Sequence, residues 1–169
     1  KNVYPKNWEC ILEESNKRAP MTLRVNLKHH TREEYLDKLT AVGIDAKKVE
    51  NIQTAITLAN PQNEFDLPGF TDGELAVQDA AAQGASILLD CQDNMTVLDA
   101  CAAPGGKTGH ILESANNLKV IAIDSSELRL KRVHENLDRL KLTATVIASD
   151  ALDTENFAKD ILFDRILLD

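Results

Sequence analysis

The sequence predicts an α/β protein whose parallel, doubly wound sheet follows a small α+β subdomain. From residue 95 onward, strand-like, loop and helix-like segments alternate, and the strands are nearly continuous apolar runs. Such runs are typical of parallel strands that are covered on both faces. Before residue 77, short strands and amphipathic helices are mixed without that repeat. We therefore predict a first domain over residues 1–76 and a second domain over residues 77–169.

The first domain is predicted to contain two helices and four short strands. The helices are expected over residues 6–18 and 31–42, and the strands over residues 21–26, 46–49, 55–58 and 74–77. Thr31 and Glu34 form a capping-box pattern at the start of the second helix, and Gly43 follows its end. Trp8 lies on the apolar face of the first helix and is expected in a core or an interface. A helix of small residues over 78–89 leads into the second domain.

The second domain is predicted to have four strands and two helices. The strands are expected over residues 95–99, 119–124, 144–149 and 164–168, and the helices over about 106–115 and 126–140. In the second of these helices Leu130, Val133, Leu137 and Leu140 recur at spacings of three and four, which predicts a buried stripe. The chain stops directly after the fourth strand, whose far edge needs a neighbour, so we expect a fragment of a longer protein.

Composition narrows the class of protein. The 169 residues are 43% hydrophobic and 27% charged, as in ordinary globular domains. Because there is neither an apolar run long enough to span a bilayer nor a signal peptide pattern, we expect a cytoplasmic protein without a membrane partner. Cys10, Cys91 and Cys101 form no CxxC pair and have no histidine at ligand spacing, so we expect reduced thiols and no metal site. We also expect a monomer.

Charge is distributed unevenly along the chain. Residues 1–70 carry 10 basic and 10 acidic side chains, whereas residues 71–169 carry 9 basic and 17 acidic ones, which accounts for the net charge of -8. A nucleic acid would therefore have to be bound through local contacts.

The basic cluster Arg24, Lys28, His29, His30 and Arg32 is interpreted either as an RNA-facing patch or as a solvated loop. Most of Arg129, Lys131, Arg132 and Arg139 are expected on a solvated helix face, and Phe70 is expected in the core.

The richest local signal is VLDACAAPGGKTGHILE, residues 97–113. A strand ending in Asp99, which we expect to hold loop amides, leads into small residues, and Gly105 and Gly106 permit a close backbone approach before a helix begins. Such a loop binds a ligand at the carboxyl end of a sheet. Its end also matches the phosphate-loop pattern G-x-x-x-x-G-K-[ST] at Lys107 and Thr108, but Cys101 occupies the position of the first glycine.

Two further acidic residues distinguish these ligand classes. Asp124 ends the second strand, about 20 residues beyond the loop, where an acidic group meets ribose hydroxyls. Asp150 follows the third strand, where a carboxylate can accept a hydrogen bond from an adenine amino group. A triphosphate-hydrolysing loop has no use for these carboxylates. The pattern favours a cofactor with a sulfonium, a ribose and an adenine, which is S-adenosylmethionine.

LDACAAPGGKTGHILE resembles the first cofactor motif of RNA cytosine-C5 methyltransferases of the Sun/NOL1/NOP2 type. FDRILLD resembles the start of their next motif, which continues into Ala-Pro-Cys. Upstream, PMTLRVN (20–26) and LPGFTDGELAVQDAAAQG (67–84) extend the resemblance over most of the chain. These stretches are most similar to bacterial members that act on small-subunit (16S) ribosomal RNA and carry a NusB-like domain absent here. The resemblance implies a Rossmann-like class I S-adenosylmethionine-dependent methyltransferase fold with a partial sheet.

The resemblance also implies roles for particular residues. The cofactor loop would consist of Cys101, Ala102, Ala103, Pro104, Gly105, Gly106 and Lys107. Asp124 would bind the ribose, Asp150 the adenine edge, and Asp169 would lie between the cofactor and the target cytosine. The family uses one cysteine thiolate to attack C6 of the cytosine and a second cysteine to assist release.

Both of these cysteines belong to motifs expected beyond Asp169, so we expect no catalytic residue in this fragment. Cys101 is interpreted as a small loop residue rather than as a nucleophile. The fragment is expected to bind S-adenosylmethionine without transferring its methyl group. The alternatives are a non-catalytic RNA-binding module and a phosphate-loop NTPase.

Overall fold

A computed structural model describes residues 3–169, which form two four-stranded sheets. The elements are α1 (Trp8–Ser15), β1 (Thr22–Val25), α2 (Arg32–Ala41), β2 (Ala46–Lys48), β3 (Ala55–Leu58), β4 (Leu75–Val77), α3 (Ala80–Leu89), β5 (Thr96–Ala100), α4 (Gly106–Ser114), β6 (Lys119–Asp124), α5 (Glu127–Leu140), β7 (Thr145–Ala148), α6 (Thr154–Phe157) and β8 (Arg165–Leu168). Every helix and strand that the sequence predicts is present. The four-residue α6 and a 3-10 turn at Glu64–Asp66 were not predicted, because one turn is too short to show a period.

The first sheet is antiparallel in the order β2-β3-β1-β4. Its core, which includes Tyr35 and Leu39 of α2, lies on one face. The capping box of α2 is confirmed: the Glu34 amide donates to the Thr31 hydroxyl over 3.2 Å, and the Thr31 amide donates to the Glu34 carboxylate over 2.7 Å. All four residues of β1 are buried, since the helices of the second domain cover its other face. This strand therefore joins the two domains.

Helix α1 is present as predicted, but none of its residues is buried. Trp8 is half-buried, whereas Ile11 and Leu12 are about half exposed. The predicted apolar face is thus only partly covered within residues 3–169. The amphipathic pattern correctly predicted the helix, but it could not predict whether another element packs against the apolar face.

The second sheet is parallel in the order β7-β6-β5-β8. On one face, α4 and α5 pack against β5 and β6, and the predicted stripe of Leu130, Val133, Leu137 and Leu140 is buried there. On the other face, Phe157 of α6 packs against Leu98, Ile121 and Ile123. Helices therefore lie on both faces, as predicted, but unevenly. The predicted domain boundary after residue 76 stays a prediction, although β4 completes the first sheet and α3 contacts both β1 and α4.

The loop between β5 and α4 packs tightly against α5 at Gly105. This residue precedes the first turn of α4 and has a φ of +99°, in the left-handed region. A Cβ atom at this position would lie 3.0 Å from the Val133 Cα atom, which is backbone of α5. Only glycine meets both demands, so Gly105 sets how closely the loop approaches α5.

A buried carboxyl group joins β5 to α4. The Thr108 hydroxyl donates to Asp99 Oδ2 over 2.6 Å, and both side chains are buried. Burial raises the pKa of Asp99 from 3.8 to about 6, although the Thr108 hydrogen bond and Lys107 favour the ionised form. The ionised carboxylate is therefore less favourable in the folded chain than in the unfolded one.

We expect Gly105→Ala to lower the free energy of unfolding by about 2–4 kcal/mol, because it combines backbone strain with a clash against Val133. Gly84→Ala is the matched control, since the position lies inside α3 with no heavy atom within 4 Å of an added Cβ. That control should gain about 0.5–1 kcal/mol from helix propensity. Urea denaturation measures both, and equal effects would contradict the proposed packing role.

We expect Asp99→Asn to alter how stability depends on pH. Since burial raises the pKa of Asp99 from 3.8 to about 6, its contribution is most favourable below pH 4 and is lost as the pH rises to 6. The asparagine variant does not ionise and should exceed the unaltered chain in stability above pH 6 by about 2–3 kcal/mol. Denaturation curves from pH 4 to 7.5 test this, with Thr108→Val as a control that should raise the pKa of Asp99 further. Parallel pH profiles for the unaltered chain and Asp99→Asn would contradict the assignment.

Candidate cofactor site

The carboxyl ends of the four parallel strands meet at one edge of the second sheet, where the acidic residues singled out from the sequence lie. Asp99 is the penultimate residue of β5, Asp124 ends β6, Asp150 follows β7 by two residues, and Asp169 follows β8. In the ladder, Ala100 pairs with both Ile123 and Leu168, and Asp124 pairs with Ala148. Because the strands share this register, their side chains and the following loops form one contiguous edge.

Three amides of the loop after β5 are bonded within the protein. The Ala102 amide donates to the Ile123 carbonyl over 2.8 Å, the Ala103 amide to Asp124 Oδ2 over 3.2 Å, and the Gly105 amide to the Ala102 carbonyl over 2.7 Å. A phosphate loop instead presents its amides to the ligand. The hydroxyl that holds magnesium in such a loop corresponds to Thr108, which is buried against Asp99. The geometry therefore argues against the phosphate-loop alternative.

Asp124 connects the loop to the start of α5. Its Oδ1 atom accepts from the Ser126 amide over 3.0 Å, its Oδ2 atom accepts from the Ala103 amide, and Arg129 Nη1 lies 3.4 Å from Oδ2. We expected Asp99 to hold loop amides, but Asp124 holds that of Ala103, while Asp99 accepts from Thr108. An ionised carboxylate has about four lone-pair positions, so Asp124 keeps acceptor capacity for a further donor such as a hydroxyl.

A small cleft of about 180 Å³ opens beside Asp124 between the ends of β5, β6 and β7. It is lined by Cys101, Ile123, Asp124, Ser125, Arg129, Ser149, Asp150 and Ala151. Cys101 is exposed and has a φ of +72°. Asp150 is also exposed, and its Oδ1 atom accepts from the Leu152 amide over 2.9 Å. The structure thus brings three of the residues selected from the sequence into one cleft.

Lys107 and Asp169 form a second charged group at this edge. Lys107 Nζ donates to Asp169 Oδ2 over 2.5 Å, so the first turn of α4 is joined to the end of β8. Both side chains remain partly accessible to solvent. An ammonium and a carboxylate held together here can compensate charge on a bound molecule or contact a second molecule.

The remaining loop residues contribute mainly to internal packing. Ala102 and Ala103 are buried, and the carbonyl of Pro104 accepts from Asn136 over 2.8 Å. Pro104, Gly105 and Gly106 line a different cavity, of about 420 Å³, between the first domain and α5. The loop therefore presents one side to the cleft at Asp124 and the other to the first domain.

The basic cluster near β1 is only partly exposed, and several of its side chains bind other parts of the protein. Arg24 is completely buried, Lys28 donates to the carbonyls of Leu112 and Ala115, and Arg32 donates to those of Val49 and Ile52. His30 Nε2 lies 3.1 Å from a carboxylate oxygen of Glu74, and His29 is exposed. The RNA-facing interpretation is wrong for the buried Arg24, whereas Lys28 is exposed and Arg32 is half-buried, so for these two it stays a prediction.

Two arginines of α5 also bind other segments of the protein: Arg129, which is exposed as expected, and Arg139, which is half-buried. Arg129 Nη2 donates to the Ala103 carbonyl over 2.8 Å, and Arg139 Nη1 donates to the carbonyls of Phe70 and Leu75. The Arg139 guanidinium also lies 4.0 Å from the centre of the buried Phe70 ring. Lys131 and Arg132 are exposed, as expected. The position of Arg129 in the first turn of the helix that follows Asp124 was the signal in the sequence that it lies at the candidate site.

Residues 3–169 contain neither a cluster of metal ligands nor a membrane-spanning helix. No group of three or more His, Cys, Asp and Glu side chains there could hold a metal ion. None of the helices described there is long and apolar enough to cross a membrane.

Comparison with known proteins agrees with this architecture. A family model described as 16S rRNA methyltransferase RsmB/F matches residues 86–169, and one described as the Methyltr_RsmF/B-like ferredoxin-like domain matches residues 1–64. A curated relative, the ribosomal RNA small subunit methyltransferase B of Serratia proteamaculans, is 51% identical over 99% of this chain. This chain covers 39% of the length of that relative.

Solved structures show the same arrangement of both domains. A methyltransferase homologue protein from Pyrococcus horikoshii is 27% identical, with a TM-score of 0.81 over 98% of this chain and 54% of its own. NSun6 from Pyrococcus horikoshii, solved with SFG, has a TM-score of 0.85 over all of this chain and 68% of its own; at 18% identity this likeness shows the fold. With two family models matching on either side of residues 65–85, the chain belongs to the RsmB/F family of methyltransferases.

Proposed function

We propose that this chain is the cofactor-binding part of an enzyme that uses S-adenosylmethionine to methylate C5 of a cytosine in 16S ribosomal RNA. The observation that carries this proposal is the carboxylate of Asp124, which lies beside a cleft at the carboxyl edge of the parallel sheet. The relatives of the chain are named as methyltransferases of small-subunit ribosomal RNA, which supports the substrate. Because the chain covers 39% of such a relative, the activity belongs to the larger protein.

The donors and acceptors at the cleft suit an adenosine-containing cofactor. Asp124 keeps acceptor capacity for a ribose hydroxyl, and the exposed carboxylate of Asp150 can accept from the adenine amino group. Three of the loop amides, those of Ala102, Ala103 and Gly105, are already bonded within the protein and do not face a polyphosphate. S-adenosylmethionine, when bound, supplies an electrophilic methyl group on a sulfonium. We assign Cys101, Ala102, Ala103, Pro104, Gly105, Gly106 and Lys107 to the loop that shapes this site.

The charged residues of the edge would orient the reactants. Asp169 follows β8 and binds Lys107, so its carboxylate lies next to the end of the proposed cofactor loop. We assign Asp169 to contact the cytosine to be methylated and Lys107 to hold that carboxylate in place. Together they would align the acceptor carbon with the methyl group, and such alignment is a major source of rate enhancement.

The cysteines of this chain are not assigned as nucleophiles. Cys91 is buried and burial raises the pKa of its thiol, which suppresses the reactive thiolate. Cys101 lines the cofactor cleft, and Cys10 lies in α1. We therefore propose that the thiolate attacking C6 belongs to another segment of the enzyme. We further assign residues 1–76 as an RNA-contacting domain and residues 77–169 as the cofactor-binding core of a monomeric, cytoplasmic protein.

We expect S-adenosylmethionine to bind the full-length protein in isothermal titration calorimetry, and Asp124→Ala to weaken binding by roughly tenfold to a hundredfold, since it removes charge-assisted hydrogen bonds to the ribose. Asp138→Ala is the control, because this exposed carboxylate of α5 lies outside the cleft and should leave the affinity unchanged. Heat with ATP and magnesium, but none with S-adenosylmethionine, would instead favour the phosphate-loop alternative. Tight RNA binding without any cofactor binding would favour a non-catalytic module.

We expect the full-length protein to form 5-methylcytidine in 16S ribosomal RNA, detected by mass spectrometry of digested nucleosides. Asp169→Asn should lower the turnover number by roughly a hundredfold while leaving the affinity for S-adenosylmethionine within a factor of about three, because Asp169 contacts the base. Asp160→Asn, in the exposed segment before β8, is the control and should retain full activity. A methyl group on another base, or on another atom of cytosine, would refute the proposed chemistry.

A further inference from the structure

The side chain of Arg24 is completely buried between the two domains. It lies in the middle of β1, on the face turned toward α4. Arg24 Nε and Nη2 donate to the two carboxylate oxygens of Glu113 over 2.8 and 2.7 Å, and Nη1 donates to Gln78 Oε1 and to the Gly106 carbonyl, each over 2.7 Å. A buried guanidinium with this many partners is held in one orientation.

The partners of Arg24 connect three separate stretches of sequence. Arg24 belongs to PMTLRVN, Gln78 to LPGFTDGELAVQDAAAQG, and Gly106 and Glu113 to the segment 97–113 that contains the cofactor loop. These are the stretches that carry the resemblance to RNA cytosine methyltransferases. The function of the first two is not explained by the contacts of the cofactor cleft, which they do not line.

Through Gly106 and Glu113, Arg24 binds α4 at both ends. Gly106 is the first residue of the helix, and Glu113 lies two turns later on the same face. Between them, Gly109 leaves room for the guanidinium, because a Cβ atom there would lie 3.2 Å from Arg24 Nη2. The helix is therefore shaped around the arginine along its length.

The contact with the Gly106 carbonyl reaches the cofactor loop directly. Gly105, in its left-handed conformation, precedes this residue, and Lys107, which binds Asp169, follows it. A displacement of Gly106 would move both the loop and the Lys107–Asp169 pair. The first domain thus contacts the backbone on which the proposed cofactor site is built.

Other contacts also join the domains without reaching this loop. Arg139 of α5 donates to the carbonyls of Phe70 and Leu75, and Lys28 donates to carbonyls at the far end of α4. Because these contacts hold the domains together, the hydrogen bond from Arg24 to Gly106 is not needed for docking alone. The buried Arg24–Glu113 ion pair need not stabilise the fold, because the loss of hydration of both charges offsets their attraction.

We propose that Arg24 is a positioning residue for the cofactor loop, through which docking of the first domain sets the geometry of the S-adenosylmethionine site. The inference rests on the proposed function for the identity of the cofactor. Arg24 touches neither the cleft nor the reacting atoms, and acts through the Gly106 carbonyl and the start of α4. The cofactor site would then reach full affinity only with the first domain in place.

The test compares Arg24→Lys with Arg139→Gln in the full-length protein. Lysine keeps the buried charge but cannot bind Glu113, Gln78 and Gly106 together. Both variants lose hydrogen bonds across the same domain interface, and only the first affects the loop. At a temperature where circular dichroism shows both variants folded, Arg24→Lys should raise the Kd for S-adenosylmethionine roughly tenfold, and Arg139→Gln should change it less than about twofold.

Amide hydrogen exchange of residues 101–109, measured without cofactor, supplies a second readout that does not depend on ligand binding. Exchange in this segment should accelerate in Arg24→Lys and stay unchanged in Arg139→Gln. If Arg24→Lys does not fold, Gln78→Ala, which removes one partner of the same guanidinium, should give a smaller change in the same direction, about threefold in Kd.

Equal effects of Arg24→Lys and Arg139→Gln on affinity and on exchange would overturn the inference, because they would show only general loss of domain docking. Unchanged exchange and affinity in Arg24→Lys would overturn it as well. A failure of the unaltered protein to bind S-adenosylmethionine would overturn the proposed function instead. The exchange measurement would still decide whether Arg24 positions the loop.

Discussion

The parallel pairing of β5 with β6 is the constraint on which the site depends. Its register places Ile123 beside Ala100 and brings Asp124 under the loop that leaves β5. The ladder continues past the end of β5, where the Ala102 amide donates to the Ile123 carbonyl and the Ala103 amide donates to Asp124. One carboxylate therefore ends a strand, closes the loop and faces the cleft. A shift in this register would separate all three functions of Asp124.

Helix α4 extends this constraint to the rest of the molecule. One of its faces packs on the parallel sheet through Ile111 and Leu112, and its opposite side meets the first domain through Glu113. Because both sides of the helix are covered, polar side chains are buried on both sides. Thr108, for example, is buried against Asp99 of β5. His110 is a further example, since burial, together with the nearby Arg24, lowers the pKa of its imidazole to about 3 and keeps the ring neutral.

Buried polar groups join the two domains through hydrogen bonds across their interface. Arg24 and Arg139 cross the interface in opposite directions, the first from β1 to α4 and the second from α5 to the loop and strand around Phe70 and Leu75. Hydrogen bonds of this kind fix orientation more than they add stability, because the charged groups lose their hydration. The two domains thereby keep a defined relative geometry.

The sequence by itself determined the local structure and the edge at which the site lies. Apolar periodicity, the capping box at Thr31 and the buried stripe of α5 predicted the elements, since each depends on residues a few positions apart. The acidic residues at the strand ends could be grouped for a related reason: parallel strands bring their carboxyl ends to one edge. The resemblance in the loop segment identified the same edge.

Only the tertiary structure decided where the long cationic side chains bind and which way the loop amides point. Arg24 meets Gly106 and Glu113 across 82 and 89 residues, and a basic residue in a strand gives no local sign of such a partner. Arg129 and Arg139 lie on the polar side of an amphipathic helix, and periodicity gives no sign that each donates to a backbone carbonyl of another segment. A long flexible side chain can reach a carbonyl beyond its own helix, and whether one lies within reach depends on how the elements pack.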